Sequence, residues 1–183
     1  AWDRWLVCLF CIEQSDENVA ELERQKQDLL NKLNSLGDEI SENRKNFAEV
    51  LSALIVEKLE NLELPKSKFK ISVTPCELNI LGKDNVEFLI STNVSEDLKP
   101  LAKVASGGEI SRVMLAIKSI FAQNDEIDTV IFDEIDTGIS GRASQSVADE
   151  IVALSKYHQV ILITHQAIIA SKADKHFYVT KSQ

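Results

Sequence analysis

No apolar run in the chain is longer than the eight residues from Trp5 to Ile12, and a helix needs about 20 to span a bilayer. That run is therefore not a membrane anchor. Nor does it read as the core of a secretory signal, because Glu13, Asp16 and Glu17 follow where a small-residue cleavage site would stand. Basic residues are also in deficit: 20 Lys and Arg face 29 Asp and Glu, a net charge of -9. A general basic surface for nucleic acid is excluded, since phosphate neutralisation needs clustered cations. The small basic stretch Lys66, Lys68 and Lys70 reads as the solvated face of a strand. Three cysteines, Cys8, Cys11 and Cys76, are too few for a four-ligand zinc site, and Cys8 and Cys11 have no second pair at metal spacing. A reduced, cytoplasmic chain is expected. With Ala1 rather than Met first, residues 1–12 are expected to mark a truncation, either packing onto something absent or being foreign sequence.

What is present is enough for one packed domain plus an extension: 20.4 kDa with 44% hydrophobic residues. From Glu13 to Asn61 there is no proline and one glycine. Leu22, Lys26, Leu29, Leu33, Leu36, Ile40, Asn43, Phe47, Val50 and Leu54 fall on heptad a and d positions, and eight of these ten are apolar. The spacing predicts a coiled-coil-type helix over 13–64, with a long amphipathic helix packed on its own domain as the alternative. Gly37 is expected to weaken or break it, and Leu64-Pro65 to close it. Over 65–183, alternation predicts antiparallel strands at Phe69 to Thr74 and Val86 to Ile90 about a turn at Gly82 to Asn85. From Thr129 the rhythm becomes strand (Val130 to Phe132), helix (Arg142 to Leu154), strand (Val160 to Ile163), helix (Ala167 to Lys172), strand (Phe177 to Thr180). The fold class expected is α/β, with a buried parallel sheet flanked by helices and a small antiparallel element.

No phosphate-binding P-loop occurs anywhere in the 183 residues, yet other parts of a nucleotide site do. Ser106-Gly107-Gly108-Glu109 fits a capping box, with Ser106 and Glu109 satisfying each other's amides. The two glycines then open a helix that is apolar at Ile110, Val113, Met114, Ile117 and Phe121. Bare amides and the helix dipole make an anion site that glycine lets a phosphate approach; a plain capped helix is the alternative. Asp133 and Glu134 end a strand on the side where open α/β sheets bind ligands. Asp133 suits Mg²⁺, and Glu134 can orient or deprotonate a water attacking a γ-phosphate, although such pairs also cap helices. His165 ends the next strand, where it can sense a γ-phosphate, while His158 and His176 read as structural. Asp136 to Gly141 is a glycine-bearing loop placed to report that phosphate to a neighbouring subunit, or an ordinary loop.

Taken in order, Gly82 to Phe88, Leu98 to Leu101, Ala105 to Arg112, Phe132 to Gly141 and Ile163 to His165 resemble the SMC-like family of ATP-binding cassette heads, specifically the C-terminal lobe in its bacterial DNA-repair branch. The resemblance covers residues 13–181. It implies that Ser106, Gly107, Gly108 and Glu109 are a signature motif meeting ATP held by the opposite head. It makes Asp133 the Mg²⁺ carboxylate, Glu134 the catalytic glutamate, Asp136 part of the D-loop and His165 the switch histidine. It implies an ATPase acting in DNA double-strand-break repair, with an N-terminal P-loop lobe, a second head and DNA as partners, no membrane, and a place at the nucleoid. The P-loop and Q-loop are not here, so the chain alone is expected to be inactive. Gln166 stands where the pattern has Leu. Two other readings are kept: a non-catalytic module that pairs through its coiled coil or binds an intact head, and a transporter cassette.

Overall fold

The computed structural model describes residues 2–93, 96–104 and 107–180, with side chains from residue 18 onward. Helix α1 (Trp2–Asn61) is followed by strands β1 (Lys68–Asn79), β2 (Gly82–Ser91) and β3 (Lys99–Pro100) and one 3-10 turn (Leu101–Lys103). Helix α2 (Gly107–Phe121), β4 (Thr129–Phe132), α3 (Arg142–Leu154), β5 (Gln159–Leu162) and α4 (Ala167–Ala170) complete the order. β1, β2 and β3 form one sheet in that order, and β4 and β5 form another. The chain divides into two compact units, Ala1–Asn46 with Val73–Asn85, and Phe47–Ser72 with Val86–Gln183.

In the first unit the hairpin of β1 and β2 is fastened to α1 through Asp84. Its carboxylate accepts hydrogen bonds from Ser41 Oγ at 2.7 and 2.8 Å and from an Arg44 guanidinium nitrogen at 3.1 Å, and the same guanidinium donates to the Leu81 carbonyl at 2.7 Å. The Ser41 hydroxyl first, helped by Arg44 against the cost of burial, holds the Asp84 carboxyl below its ordinary pKa. The turn lies at Ile80-Leu81 rather than at Gly82 to Asn85, because Asn79 Oδ1 accepts from the Leu81 amide at 2.8 Å and Gly82 takes φ +111°. Lys83 and Asp84 are thereby freed to reach α1. No break occurs at Gly37. A Cβ there would come within 3.2 Å of the Lys83 side chain, so its bareness admits that lysine, which pairs with Asp38.

In the second unit, Ala48, Leu51, Ile55 and Leu59 of α1 are buried with Leu62, Leu64, Phe69 and Ile71. The Phe69 and Phe88 rings meet at 5.8 Å. The eight apolar heptad residues are all exposed, from Leu22 to Leu54. Phe47, Val50 and Leu54 stand one residue before Ala48, Leu51 and Ile55, hence about 100° away on the helix. The amphipathic-helix alternative accounts for the second stripe only. The helix begins at Trp2 rather than at residue 13 and ends at Asn61: Leu64 donates to the Leu59 carbonyl at 2.9 Å and Glu63 to Glu60 at 3.3 Å, with Glu63 at φ 59°. This is a Schellman closure with glutamate in the position glycine usually takes.

β4 and β5 pair in parallel, Thr129 with Gln159 through Phe132 with Leu162, as expected. The sheet is not buried, however: Ile131, Ile161 and Ile163 are exposed on one face while Phe132 is buried on the other. Residues 177–180 form no strand: among the described residues no strand pairs with them, and Phe177, Tyr178 and Val179 are exposed. α3 packs on both α2 and α4, and Lys58 of α1 reaches Glu150 of α3 at 2.6 Å.

The two stripes make opposite forecasts for neighbouring residues. In the chain alone, Ile55→Ala is expected to cost about 2 to 5 kcal/mol, whereas Leu54→Ala should stay within about 0.5 kcal/mol. Urea unfolding of the two variants checks this, and equal losses would contradict the assignment of faces.

Candidate functional site

The site is assembled at the C-terminal end of the β4–β5 pair. The pairing brings Phe132 level with Leu162, and the Ile163 amide continues the ladder by donating to the Phe132 carbonyl at 3.0 Å. Asp133 and Glu134 therefore leave one strand beside the point where Thr164 and His165 leave the other. Both carboxylate residues are exposed. Glu134 adopts φ 56°, a left-handed turn unusual for a residue with a side chain, and its carbonyl accepts from the Thr137 amide at 3.0 Å. Ile135, fully buried, anchors the turn.

The first turn of α2 lies against this turn. A Cβ on Gly107 would stand 2.6 Å from a Glu134 carboxylate oxygen, and one on Gly108 would stand 3.0 Å from the carbonyl oxygens of both Glu134 and Thr137. Gly107 is exposed and Gly108 buried. What the missing side chain of Gly108 makes room for on this chain is the loop behind it, and what stands before Gly107 is a carboxylate. Glu109 is half-buried in the first turn. Ser106, with the Ser106 half of the capping box, lies outside the described residues.

Two further residues of α2 join it to the loop. Ser111 Oγ donates to the Asp133 carbonyl at 2.8 Å, and Arg112, 4% exposed, donates to the carbonyls of Ile135 at 3.2 Å and Thr137 at 3.1 Å. Burial lowers the pKa of the Arg112 guanidinium, and Glu109 opposes that shift. The buried face of α2 is accordingly not the expected one. Gly108, Arg112, Val113, Leu115 and Ala116 are buried, Met114 is exposed, and Ile110, Ile117 and Phe121 are half-buried. A buried cation needs carbonyl partners, and this one rotates the helix toward them.

Asp136 is 2% exposed and turned inward, not toward the open side of the loop. Its Oδ2 accepts from the Thr164 hydroxyl and from the His165 amide at 3.0 Å, and His165 Nδ1 stands 3.1 Å from it. Burial pushes its pKa up, but the Thr164 hydroxyl and the His165 amide and imidazole outweigh it, so the carboxyl sits below its ordinary value. His165 meets Asp136 rather than Asp133 or Glu134, and with Nδ1 so held its 75% exposed ring has Nε2 for an incoming group. His158 is structural, its Nδ1 2.6 Å from the Ile127 carbonyl. His176 is exposed and packs no core.

Among the described residues no three His, Cys, Asp or Glu side chains gather to hold a metal. One exposed carboxylate beside open space fits Mg²⁺, which keeps several waters and takes one or two carboxylates plus phosphate oxygens. No described helix is long and apolar enough to cross a membrane. Sequence reading missed Ser111, Arg112 and Thr164; the signal available was an arginine inside an otherwise apolar helical stretch.

No family model matches the chain. It is 39% identical over 193 residues to the DNA repair protein RecN of Bacillus subtilis, covering 93% of this chain and 34% of that protein. It is 41% identical to RecN of Treponema pallidum over 177 residues, 93% of this chain and 31% of that protein. For RecN of Rickettsia prowazekii the identity is 36% over 182 residues, 99% and 33% respectively. The chain thus spans about a third of the length of the curated relatives it matches. Among solved structures it is similar to the Smc head domain with an extended coiled coil bound to the C-terminal domain of ScpA from Pyrococcus furiosus, with 25% identity and a TM-score of 0.57 over 84% of this chain and 37% of that one. The Smc head domain with a coiled coil and joint from Pyrococcus yayanosii has the same fold, with 23% identity and a TM-score of 0.58 over 84% and 29%.

The glycines and the buried carboxylate give separate forecasts. Gly108→Ala should lose about 1 to 3 kcal/mol by overpacking on two backbone carbonyls. Gly107→Ala should be near neutral, because only the mobile end of Glu134 must move and alanine gains about 1 kcal/mol in a helix. Thermal melting ranks them, and an equal loss would contradict the packing. A lowered carboxyl pKa contributes stability that is present above the ordinary value of 3.8 and disappears as pH falls through the folded value. Asp136→Asn should therefore be less stable than the unaltered chain at neutral pH, with the gap closing below pH 3.8; melts over a pH series test that.

Proposed function

We infer that this chain, which corresponds to the C-terminal part of the RecN proteins, supplies one lobe of an SMC-like ATPase head and works only with a P-loop lobe held elsewhere. The observation that carries the reading is the convergence at one strand end of Asp133, Glu134, the first turn of α2 and the Asp136-held His165, beside a sheet face left bare. Ile131 is 64% exposed and Ile161 and Ile163 are exposed with it, a strip of strand surface of the kind a P-loop lobe would cover. Water exclusion by that lobe is what makes the site's charges effective.

In the completed head ATP would supply the phosphoryl group, and Asp133 would hold Mg²⁺, which would supply positive charge to the phosphates. Glu134 accepts the proton of the attacking water. His165, in its protonated form with Nδ1 beside the Asp136 carboxylate, would donate from Nε2 to a γ-phosphate oxygen. Gly107, exposed at the first position of α2, and the half-buried Glu109 would meet the nucleotide of a second head together with Ser106, and Gly108 supports them from behind. The heptad stripe of α1 pairs with the other arm of an antiparallel coiled coil, and pairing of heads closes the assembly on DNA during double-strand-break repair. The place of action is the cytoplasm, at the nucleoid.

A second reading, a non-catalytic module that binds an intact head or another coil, draws on one specific observation. The Glu134 carboxylate stands where an anion would approach Gly107, so the chain as it stands meets an incoming phosphate with a negative charge.

Mixing the chain with a separately made P-loop lobe of a RecN protein and measuring ATP turnover decides between them. Turnover should appear only on mixing. Glu134→Gln should lower kcat by about 10² to 10⁴, with ATP still bound. Lobes that associate and bind ATP without turnover would favour the module.

A further inference from the structure

Gln166 is the residue that the resemblance does not account for, since Leu is expected after the histidine. Its side chain is not idle. The amide nitrogen donates to the Asp136 carbonyl at 3.2 Å and to the Ile139 carbonyl, and the amide oxygen accepts from Ser144 Oγ. Ser144 is fully buried in the first turn of α3. The Gln166 main-chain amide donates to Thr164 Oγ1 at 3.0 Å, the same hydroxyl that reaches the Asp136 carboxylate. One planar head group with two donors and one acceptor therefore spans both ends of the 136–139 segment and the helix that follows it.

The segment has little else to fix it on its open side. Thr137 and Gly138 are exposed, Gly138 and Gly141 take φ +78° and +57°, and a Cβ at either glycine would meet nothing within 4 Å. Glycine backbones of that kind are free to rearrange. Leucine offers neither donor nor acceptor, and glutamate would turn an oxygen toward two carbonyl oxygens. The requirement is for an amide.

We propose that Gln166 is a positioning residue, whose side-chain amide pins the 136–139 loop to the strand end bearing His165 and so fixes the exposed edge that meets the second head. This rests on the reading of the chain as an ATPase lobe. It differs from the roles of Glu134 and His165 in that Gln166 acts through the loop and touches no substrate.

The test uses Gln166→Leu and Gln166→Glu with two readouts. The first needs no turnover: in the chain itself, amide hydrogen exchange over residues 137–141 should accelerate by about tenfold or more in both variants, with the amides of α2 unchanged. The second is ATP turnover of the chain assembled with a P-loop lobe. There kcat should fall by about tenfold or more in both variants, while the KM for ATP stays within about twofold. Unchanged exchange over 137–141, or acceleration shared equally with α2, would overturn the tether. Unchanged kcat in an assembly that Glu134→Gln inactivates would overturn the positioning role. Should the unaltered assembly show no turnover, the ATPase reading itself fails and the exchange result alone decides whether the loop is pinned.

Discussion

A single buried carboxylate holds the business end of this chain together. Asp136 has left the strand that carries Asp133 and Glu134, yet it accepts two hydrogen bonds, from the Thr164 hydroxyl and the His165 amide, where the other strand ends, and has the His165 imidazole beside it. A desolvated anion is costly unless it is fully paired, so the loop after β4 cannot move away from the end of β5 without exposing the partners to that cost. Arg112 applies the same constraint from the opposite side, as a buried cation that needs the carbonyls of residues 135 and 137. Between them an anion and a cation of one loop register fix where α2, the carboxylate turn and the histidine stand.

The parts of the site that sequence made visible are those whose chemistry is local. A strand ending in two carboxylates, a pair of glycines before a helix and a histidine after a strand can each be read within a few residues, and α3 was delimited to the residue. Long-range partnerships were not legible in the same way. Nothing near Asp136 in sequence says that its side chain turns inward to residues 164 and 165, and nothing near Gly108 says that its missing Cβ serves the Thr137 carbonyl. The expected turn at Gly82 to Asn85 failed for a related reason: Asn79 caps the turn earlier, and the residues after it serve α1. The strand expected at Phe177 to Thr180 followed from the strand–helix rhythm before it, and a rhythm supplies no backbone partner.

Two apolar surfaces are left open, and they are of different kinds. The bare face of β4 and β5 is the reverse of a packed sheet, continuous with a core on the far side. The heptad stripe on α1 has no core beneath it; the core lies under a separate stripe on the same helix. A helix with two apolar stripes is more hydrophobic around its circumference than a surface helix needs to be, which is the pattern of an element that packs on its own domain and on a partner helix at once.

That double striping also limits how such a helix can change length. Exposed Phe47 and Val50 and buried Ile55 and Leu59 share a single run of backbone, so inserting one residue between Leu51 and Leu54 would turn the first pair by about 100° relative to the second, which is seated in the core. Additions of seven residues leave the phase almost untouched. Whole heptads are thus the steps that preserve the phase of the exposed stripe at Phe47, Val50 and Leu54, and the buried Ile55 and Leu59 act as the reference mark from which that phase is counted.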